Sequence, residues 1–228
     1  MEWTVALTNM SVLEARPARE ADDTLGDLRF RALMRDDEWA SLPAAIQRRF
    51  TKRLADGRTT VYTGMIQETR MSRAGWWLAQ IARAIGAPLP TSTDSHVPMI
   101  VTVTEDVATT GQIWTRLCGR HNGFPQIINS SKRFLGPTGV EEYLGYGISI
   151  AMTVHARDGA LVFSSERYSL YVLGRRFTLP NWLRPAAMTV VHAELGGGRF
   201  IFTLDVTHPL LGVLIHQSAV FQESEGPH

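Results

Sequence analysis

The stretch that decides the fold is residues 145–173, which read GYGISIAMTVHARDGALVFSSERYSLYVL. From Leu144 to Val154 every second residue is apolar, and this period of two is typical of a strand with one buried face. The strand ends before Asp158-Gly159, a pair that favours a tight type I′ hairpin turn. We therefore expect a second strand, residues 160–173, to fold back antiparallel, so that 145–185 forms the ribbon onto which the rest of the sheet pairs.

Most of the remaining chain shows the same strand pattern, and its N-terminal part shows a helical one. Alternating apolar rows separated by glycine-containing turns recur in the second half, and we count about eight strands in all. The fold class we expect is α+β, with N-terminal helices packed on a strongly curved, barrel-like antiparallel β-sheet. Residues 24–222 form the expected single domain, between an N-terminal extension (1–23) and a frayed C-terminal tail (223–228).

Two of the expected helices carry side chains that need an explanation. The helix that begins near Pro43 has a basic face, which we expect to be solvated and which consists of Arg48, Arg49, Lys52 and Arg53. A helix after Ser72 places Trp77, Ile81 and Ile85 on one stripe. We expect this stripe to pack against the sheet, and the alternative is that Trp77 stacks on a ligand.

Composition limits the classes of function. The chain has 228 residues and a formal net charge of +1, which provides no overall field to attract nucleic acid or an anionic membrane. No run reaches the roughly 18 apolar residues of a membrane helix, and the N-terminus lacks a signal-peptide pattern. A single cysteine, Cys118, makes no internal disulfide. We therefore expect a cytoplasmic protein with no nucleic acid partner and no membrane span.

Motifs for common cofactors are missing from the sequence. There is no Gly-x-Gly-x-x-Gly between a strand and a helix, and no phosphate-binding glycine loop with its lysine. The seven histidines show none of the paired spacings of a zinc site. We therefore expect no cofactor and no metal.

Several motifs follow one another in an order that resembles a known family. They are Trp114-Thr115-Arg116 with Gly119-Arg120, Arg133-Phe134-Leu135-Gly136-Pro137, Leu179-Pro180 with Trp182-Leu183 and Pro185, Gly198-Arg199-Phe200 through Asp205-Val206, and Pro209-Leu210-Leu211-Gly212. On these motifs, residues 30–221 resemble the bacterial family called domain of unknown function 4166. Members are often attached to a saccharopine-dehydrogenase-like NAD(P)-binding domain, so the resemblance implies small-molecule metabolism and a possible separate dehydrogenase partner. One departure from the family pattern is Lys132, where an acidic residue is common.

The candidate site is a set of polar residues in phase with apolar rows of the strands. Arg116 shares a strand face with Trp114, and we expect it to pair with Glu142, because a buried charge needs a partner. Glu142 and Asp205 are the candidate catalytic carboxylates. The candidate ligand-binding residues are Trp114, Arg116, Tyr146, Arg167, Tyr168, Trp77 and His192. The alternative for each charged residue is a solvated position at the end of a strand.

Three hypotheses about function follow from this pattern. The first is binding of a small hydrophobic molecule, lipid-like or polycyclic, in a cavity between sheet and helix. The second is a cofactor-free isomerase, cyclase or hydratase that uses a carboxylate as acid or base in the same cavity. The third is an accessory domain that docks on a separate dehydrogenase, which an exposed apolar patch without a cavity would favour.

Overall fold

Ten antiparallel strands close into a barrel and an eleventh pairs beside it, in the part of the chain that the structure describes. This structure is a computed structural model, and it describes residues 26–52, 54, 57–84 and 89–223. The strands are β1 (Thr59–Met71), β2 (Val97–Asp106), β3 (Gly111–Cys118), β4 (Gln126–Arg133), β5 (Glu141–Gly145), β6 (Ile148–Arg157), β7 (Ala160–Val172), β8 (Arg175–Thr178), β9 (Ala187–Gly196), β10 (Arg199–His208) and β11 (Gly212–Gln222). The barrel closes where β6 pairs with β7. The first part of β7 pairs with β9, and β8 pairs with the last four residues of β7. The expected barrel-like antiparallel sheet is confirmed, with more strands than the eight or so expected.

The hairpin at the centre of the fold forms as the sequence predicts. Asp158 and Gly159 have φ angles of 51° and 73°, the positive values that a type I′ turn requires at both central residues. The strands β6 and β7 leave this turn paired from Arg157 and Ala160 to Ile148 and Leu170. The pairing closes the barrel.

The expected continuous strand through residues 144–154 is wrong. Residues Gly145, Tyr146 and Gly147 have φ angles of 105°, 50° and 82°, so the chain turns back here and separates β5 from β6. A side chain at position 147 would lie 2.4 Å from the carbonyl oxygen of Tyr171, which restricts the position to glycine. The apolar alternation runs across the turn because Tyr146 falls in phase with it, although its side chain is exposed.

Three short helices cover one end of the barrel, which we call the α1–α3 end. They are α1 (Arg29–Ala32), α2 (Asp36–Ser41) and α3 (Ala44–Phe50). Phe30 of α1 and Ile46 of α3 are completely buried, and Phe30 makes edge-to-face contacts with Phe50, Phe134 and Phe163. The main hydrophobic core therefore runs from these helices into the barrel.

A longer helix, α4 (Arg73–Ala84), covers the opposite end, which we call the α4 end. The hydroxyl of Ser72 accepts a hydrogen bond from the amide of Gly75 at 3.1 Å, as expected of an N-cap. Gly75, Ala79 and Ala82 form the buried face, and a Cβ on Gly75 would lie only 1.9 Å from the carbonyl oxygen of Leu214. The helix therefore lies directly on β11.

The expected packing of the tryptophan stripe against the sheet is wrong. Trp77 and Ile81 are 63% and 58% exposed. Small residues on the neighbouring face let the backbone of α4 approach β11 closely, and this approach turns the large side chains outward. Ile85, the third member of the stripe, lies outside the described residues.

Several expectations concern parts of the chain that the structure does not describe. The N-terminal extension 1–23 lies outside the described residues, as does the tail from residue 224 onward. The single domain over 24–222 stays a prediction. Among the described residues, no helix has the length and apolar character needed to cross a membrane.

Candidate functional site

A cavity of about 320 Å³ lies at the α4 end of the barrel. Leu78 and Ile81 of α4 form one wall, and Ile150, Leu170 and Met188 line the cavity from β6, β7 and β9. The lining is almost entirely apolar, so water inside it gains few hydrogen bonds from the protein. The exposure of Ile81 places the helical wall of the cavity next to solvent.

A second, smaller cavity of about 90 Å³ lies deeper in the barrel and adjoins the first. Leu144 and Met188 line both cavities. In contrast to the larger cavity, this one has charged residues in its wall, namely Arg116, Lys132 and Glu142. We call the two neighbouring cavities together the chamber, with an apolar part at the α4 end and a charged inner end.

The charged inner end is built by three neighbouring strands. Lys132 of β4 and Glu142 of β5 are directly paired positions, and the Lys132 ammonium donates a hydrogen bond to Oε2 of Glu142. Arg116 of β3 lies next to Ile128 of β4, and its Nη2 is 3.9 Å from Oε1 of Glu142. Its Nη1 donates a hydrogen bond to the hydroxyl of Ser130 at 3.1 Å. One carboxylate therefore faces two cations.

Burial and charge act in opposite directions on Glu142. Burial raises the pKa of this carboxyl, but the charges of Lys132 and Arg116 and hydrogen bonds from Lys132 and Ser130 outweigh it and hold the pKa below its usual value. Burial lowers the pKa of Lys132, with Arg116 adding to the effect and Glu142 opposing it. Glu142 is thus held as a carboxylate. With Lys132 and Arg116 counted as cations, the wall of this cavity has a formal net charge of +1.

Trp114 contributes an aromatic wall to the charged end. The Lys132 ammonium and the Arg116 guanidinium lie over its ring, at 5.2 Å and 5.9 Å from the ring centroid. The indole Nε1 donates a hydrogen bond to Oε1 of Gln112 at 3.3 Å, which fixes the ring orientation. A π face next to two cations stabilises their charge without adding a second anion.

Four of the predicted site residues line the chamber. Trp114, Arg116 and Glu142 meet at the charged end, and Tyr168 lines the apolar cavity. Burial raises the pKa of Tyr168 to about 12, so its hydroxyl is a neutral hydrogen-bond donor at physiological pH. The predicted pairing of Arg116 with Glu142 exists, although Lys132 is the nearer cation.

Four others lie outside the chamber. Asp205 lies on the opposite side of β10 from Phe202 and Leu204, and its Oδ1 is 2.7 Å from Nδ1 of His216. The side chain of Arg167 is exposed and forms an ion pair with Glu166 at 3.4 Å. The other two are Tyr146, at the exposed tip of a turn, and Trp77, on the outer side of α4.

His192 is buried but belongs to a different cluster, between the barrel and α3. Its Nε2 accepts a hydrogen bond from Nη1 of Arg49 at 2.7 Å, and its ring packs on Phe202. Burial and the neighbouring Arg49 charge lower the pKa of His192 well below its usual value. Arg49 also forms an ion pair with Glu194, and this pair ties α3 to β9.

The buried position of Arg49 corrects the expected solvated face of α3. The Arg49 side chain is 2% exposed and its guanidinium lies 4.1 Å above the Phe200 ring centroid. Arg48 is exposed, as expected, whereas Arg49 and Lys52 meet the rim of the barrel, where Glu194 and Glu223 supply opposite charge. Arg53 lies outside the described residues.

Sequence reasoning missed Lys132 and Ser130 as site residues. Both lie with Ile128 on the inner face of β4, at every second position. The two-residue period of a strand would have placed these three side chains on one face. Gln217 was missed in the same way on β11, where it donates a hydrogen bond to the Thr69 hydroxyl at 3.2 Å. Among the described residues, no cluster of three or more His, Cys, Asp and Glu side chains is placed to hold a metal ion.

Comparison with known proteins places this barrel in a family. No curated protein and no solved structure matches the chain. Residues 42–221 match the family model described as Domain of unknown function (DUF4166). The match covers the described strands except the last residue of β11, and it includes Trp114, Arg116, Lys132 and Glu142. The chain therefore belongs to the DUF4166 family.

Proposed function

We propose that the barrel binds a small apolar molecule that carries one anionic group. The observation that carries the proposal is the apolar cavity of about 320 Å³ that adjoins the Arg116, Lys132 and Glu142 cluster. Ligand sites combine a mostly apolar wall with a few converging polar groups in volumes of roughly 300–1,000 Å³. A lipid-like or small polycyclic molecule suits a chamber of this size and lining.

The charge balance selects the polar group of the ligand. A charge in a low-dielectric site needs a partner, and Glu142 is the one anion for two cations in this wall. The Lys132 ammonium contacts Glu142 directly, whereas the nearest Arg116 nitrogen is 3.9 Å away. The Arg116 side chain is 24% exposed, which leaves its guanidinium accessible. A carboxylate or similar anion fits the planar fork of this guanidinium.

Calorimetric titration with decanoate and with decan-1-ol tests the proposal. These probes share an apolar chain and differ in the anionic group. We expect wild-type protein to bind decanoate more tightly than decan-1-ol. Arg116→Met is expected to weaken decanoate binding by about tenfold and to leave decan-1-ol binding unchanged, because a charge-assisted hydrogen bond is lost.

Arg167→Met is the matched control, since Arg167 lies outside the chamber and its substitution should change neither affinity. The absence of binding by the wild type to either probe would overturn the proposal. Equal losses for the acid and the alcohol in Arg116→Met would contradict the assigned role of Arg116. Native mass spectrometry of the purified protein would identify a ligand that the host supplies.

A cofactor-free isomerase, cyclase or hydratase is the second candidate. The observation that favours it is an ammonium with a lowered pKa in contact with a buried carboxylate inside a ligand-sized chamber, an arrangement suited to proton transfer. Incubation of any co-purifying molecule with fresh protein, followed by chromatography, separates the two candidates. A binding protein returns the molecule unchanged, whereas an enzyme converts it and loses the conversion in Glu142→Gln.

A further inference from the structure

The two ends of the barrel differ in the side chains at their turns. At the α4 end, five separate connections each carry an apolar or aromatic side chain that is more than four-fifths exposed. These tips are Phe124, Tyr146, Leu173, Trp182 and Leu210. Trp76 and Trp77 stand beside them on α4 and contact each other edge to face at 4.9 Å. Isolated exposed apolar residues are ordinary, but so many at one end mark an interaction surface.

The turns of the α1–α3 end provide an internal comparison. They carry Thr109-Thr110, Gly136-Pro137, Arg157-Asp158 and Gly197. In these described turns, Val107 is 82% exposed and Leu135 is 41% exposed. The same barrel therefore has ordinary polar turns at one end, so its architecture does not impose apolar tips at the other.

Charge at the α4 end has one dominant sign. Helix α4, the connections 119–125, 145–147, 173–174, 179–186 and 209–211, and the first two residues of β8 contain no Asp or Glu. The same segments contain six arginines. Arg176 is paired with Glu141, and the other five are Arg73, Arg83, Arg120, Arg175 and Arg184. Among the described connections of this end, the one that leads to β2 carries an acidic residue, Asp94, and Glu68 near the end of β1 is paired with Arg70. The formal net charge of +1 for the whole chain conceals this concentration.

We propose that the α4 end docks on the surface of an anionic lipid bilayer. Apolar tips inserted at the headgroup level, together with arginines next to anionic lipids, are the two contributions that hold a peripheral protein on a membrane. The tips stand on five separate connections. A fluid interface accepts such a surface without the shape complementarity that a folded partner requires.

Docking in this orientation places the cavity next to the lipid. Ile81 both lines the cavity and is exposed among the tips, so the wall between chamber and membrane is α4 itself. The proposal rests on the surface of the α4 end and is independent of the ligand proposed above. A lipid-derived ligand would have a short path from the bilayer to the chamber.

Co-sedimentation with vesicles tests the proposal. We expect the protein to bind vesicles of phosphatidylcholine and phosphatidylglycerol in a seven-to-three ratio, and to bind pure phosphatidylcholine vesicles at least about tenfold more weakly. The triple variant Phe124→Ser, Leu173→Ser and Leu210→Ser is expected to lower binding to the mixed vesicles by at least about tenfold. These side chains are too exposed to support the core, so the fold should survive.

Val107→Ser is the matched control at the opposite end and should bind as the wild type does. If the wild-type protein stays in the supernatant with the mixed vesicles, the proposal is overturned. This holds also if the α4 end binds a soluble protein instead. Equal losses in Val107→Ser and the triple variant would also overturn it. Decanoate titration of the triple variant separates the two proposals, since docking can fail while the chamber still binds its probe.

Discussion

At the scale of single residues, the ion pair of Lys132 and Glu142 has the largest energetic consequence. Both side chains are more than nine-tenths buried, and each satisfies the charge of the other. Lys132→Met leaves Glu142 buried with only Arg116 nearby, and we expect it to lower the free energy of unfolding by about 3–5 kcal/mol in urea denaturation.

The double variant Lys132→Met with Glu142→Leu removes both charges and is expected to recover most of that loss. Arg157→Met, at an exposed ion pair with Asp158, serves as the control and should change stability by less than about 0.5 kcal/mol. A single variant as stable as the wild type would show that Lys132 and Glu142 do not depend on each other.

The lowered pKa of His192 predicts how the free energy of unfolding depends on pH. Its folded-state pKa lies below the usual value, so the unfolded chain binds the extra proton first as pH falls. The stabilising contribution is therefore complete above about pH 6.5 and is lost at lower pH, with a slope of up to about 1.4 kcal/mol per pH unit. Urea unfolding at pH 7.5, 6.5 and 5.5 measures this slope.

The His192→Gln variant retains an acceptor for Arg49 and has no titrating ring, so its slope between these pH values should be smaller. His155→Gln, on a half-buried histidine of β6, is the control and should keep the wild-type slope. Identical slopes in all three proteins would exclude His192 as the source.

Residue-level sequence reasoning identified part of the charged end. Glu142 was found because it lies in phase with an apolar row, and Arg116 because it shares a face with Trp114 opposite an apolar row. Arg167 was chosen in phase with an apolar row and Asp205 opposite one. Both lie outside the chamber, since a period of two defines two faces without saying which one is inside. Lys132 was recognised as unusual but not as the partner of Glu142, because the register of β4 against β5 across the 134–140 connection does not follow from a period of two.

At the scale of elements, the position of α4 depends on one glycine. In an exposed helix, Gly→Ala stabilises by up to about 1 kcal/mol. Gly75→Ala is expected to do the opposite and cost about 1–3 kcal/mol, because its Cβ would collide with the backbone of Leu214. Thermal unfolding measures the sign, and Gln80→Ala on the same helix is the control. A more stable Gly75→Ala protein would contradict the close approach of α4 to β11.

Elements were predictable where turn chemistry and periodicity agree. The Asp158-Gly159 hairpin and the Ser72 cap were correct because short-range geometry fixes both. The break between β5 and β6 was missed because Tyr146 continues the apolar alternation through a turn. The outward side of α4 was missed because close packing of Gly75 outweighs the hydrophobicity of the tryptophans.

At the scale of the whole molecule, the two ends of the barrel differ in packing and in surface. The α1–α3 end is sealed by aromatic packing around Phe30, and the α4 end holds the chamber and the exposed apolar tips. Total charge and composition did not predict this division, since they average over both ends. Cytoplasmic location, a separate dehydrogenase partner and an accessory role stay predictions.

The crystal structure of the protein with decanoate tests the central claim most directly. We predict density for the chain between α4 and Leu170, and for the carboxylate within hydrogen-bond distance of the Arg116 guanidinium. A chamber filled by protein side chains, or decanoate bound only on the outer surface, would contradict the account.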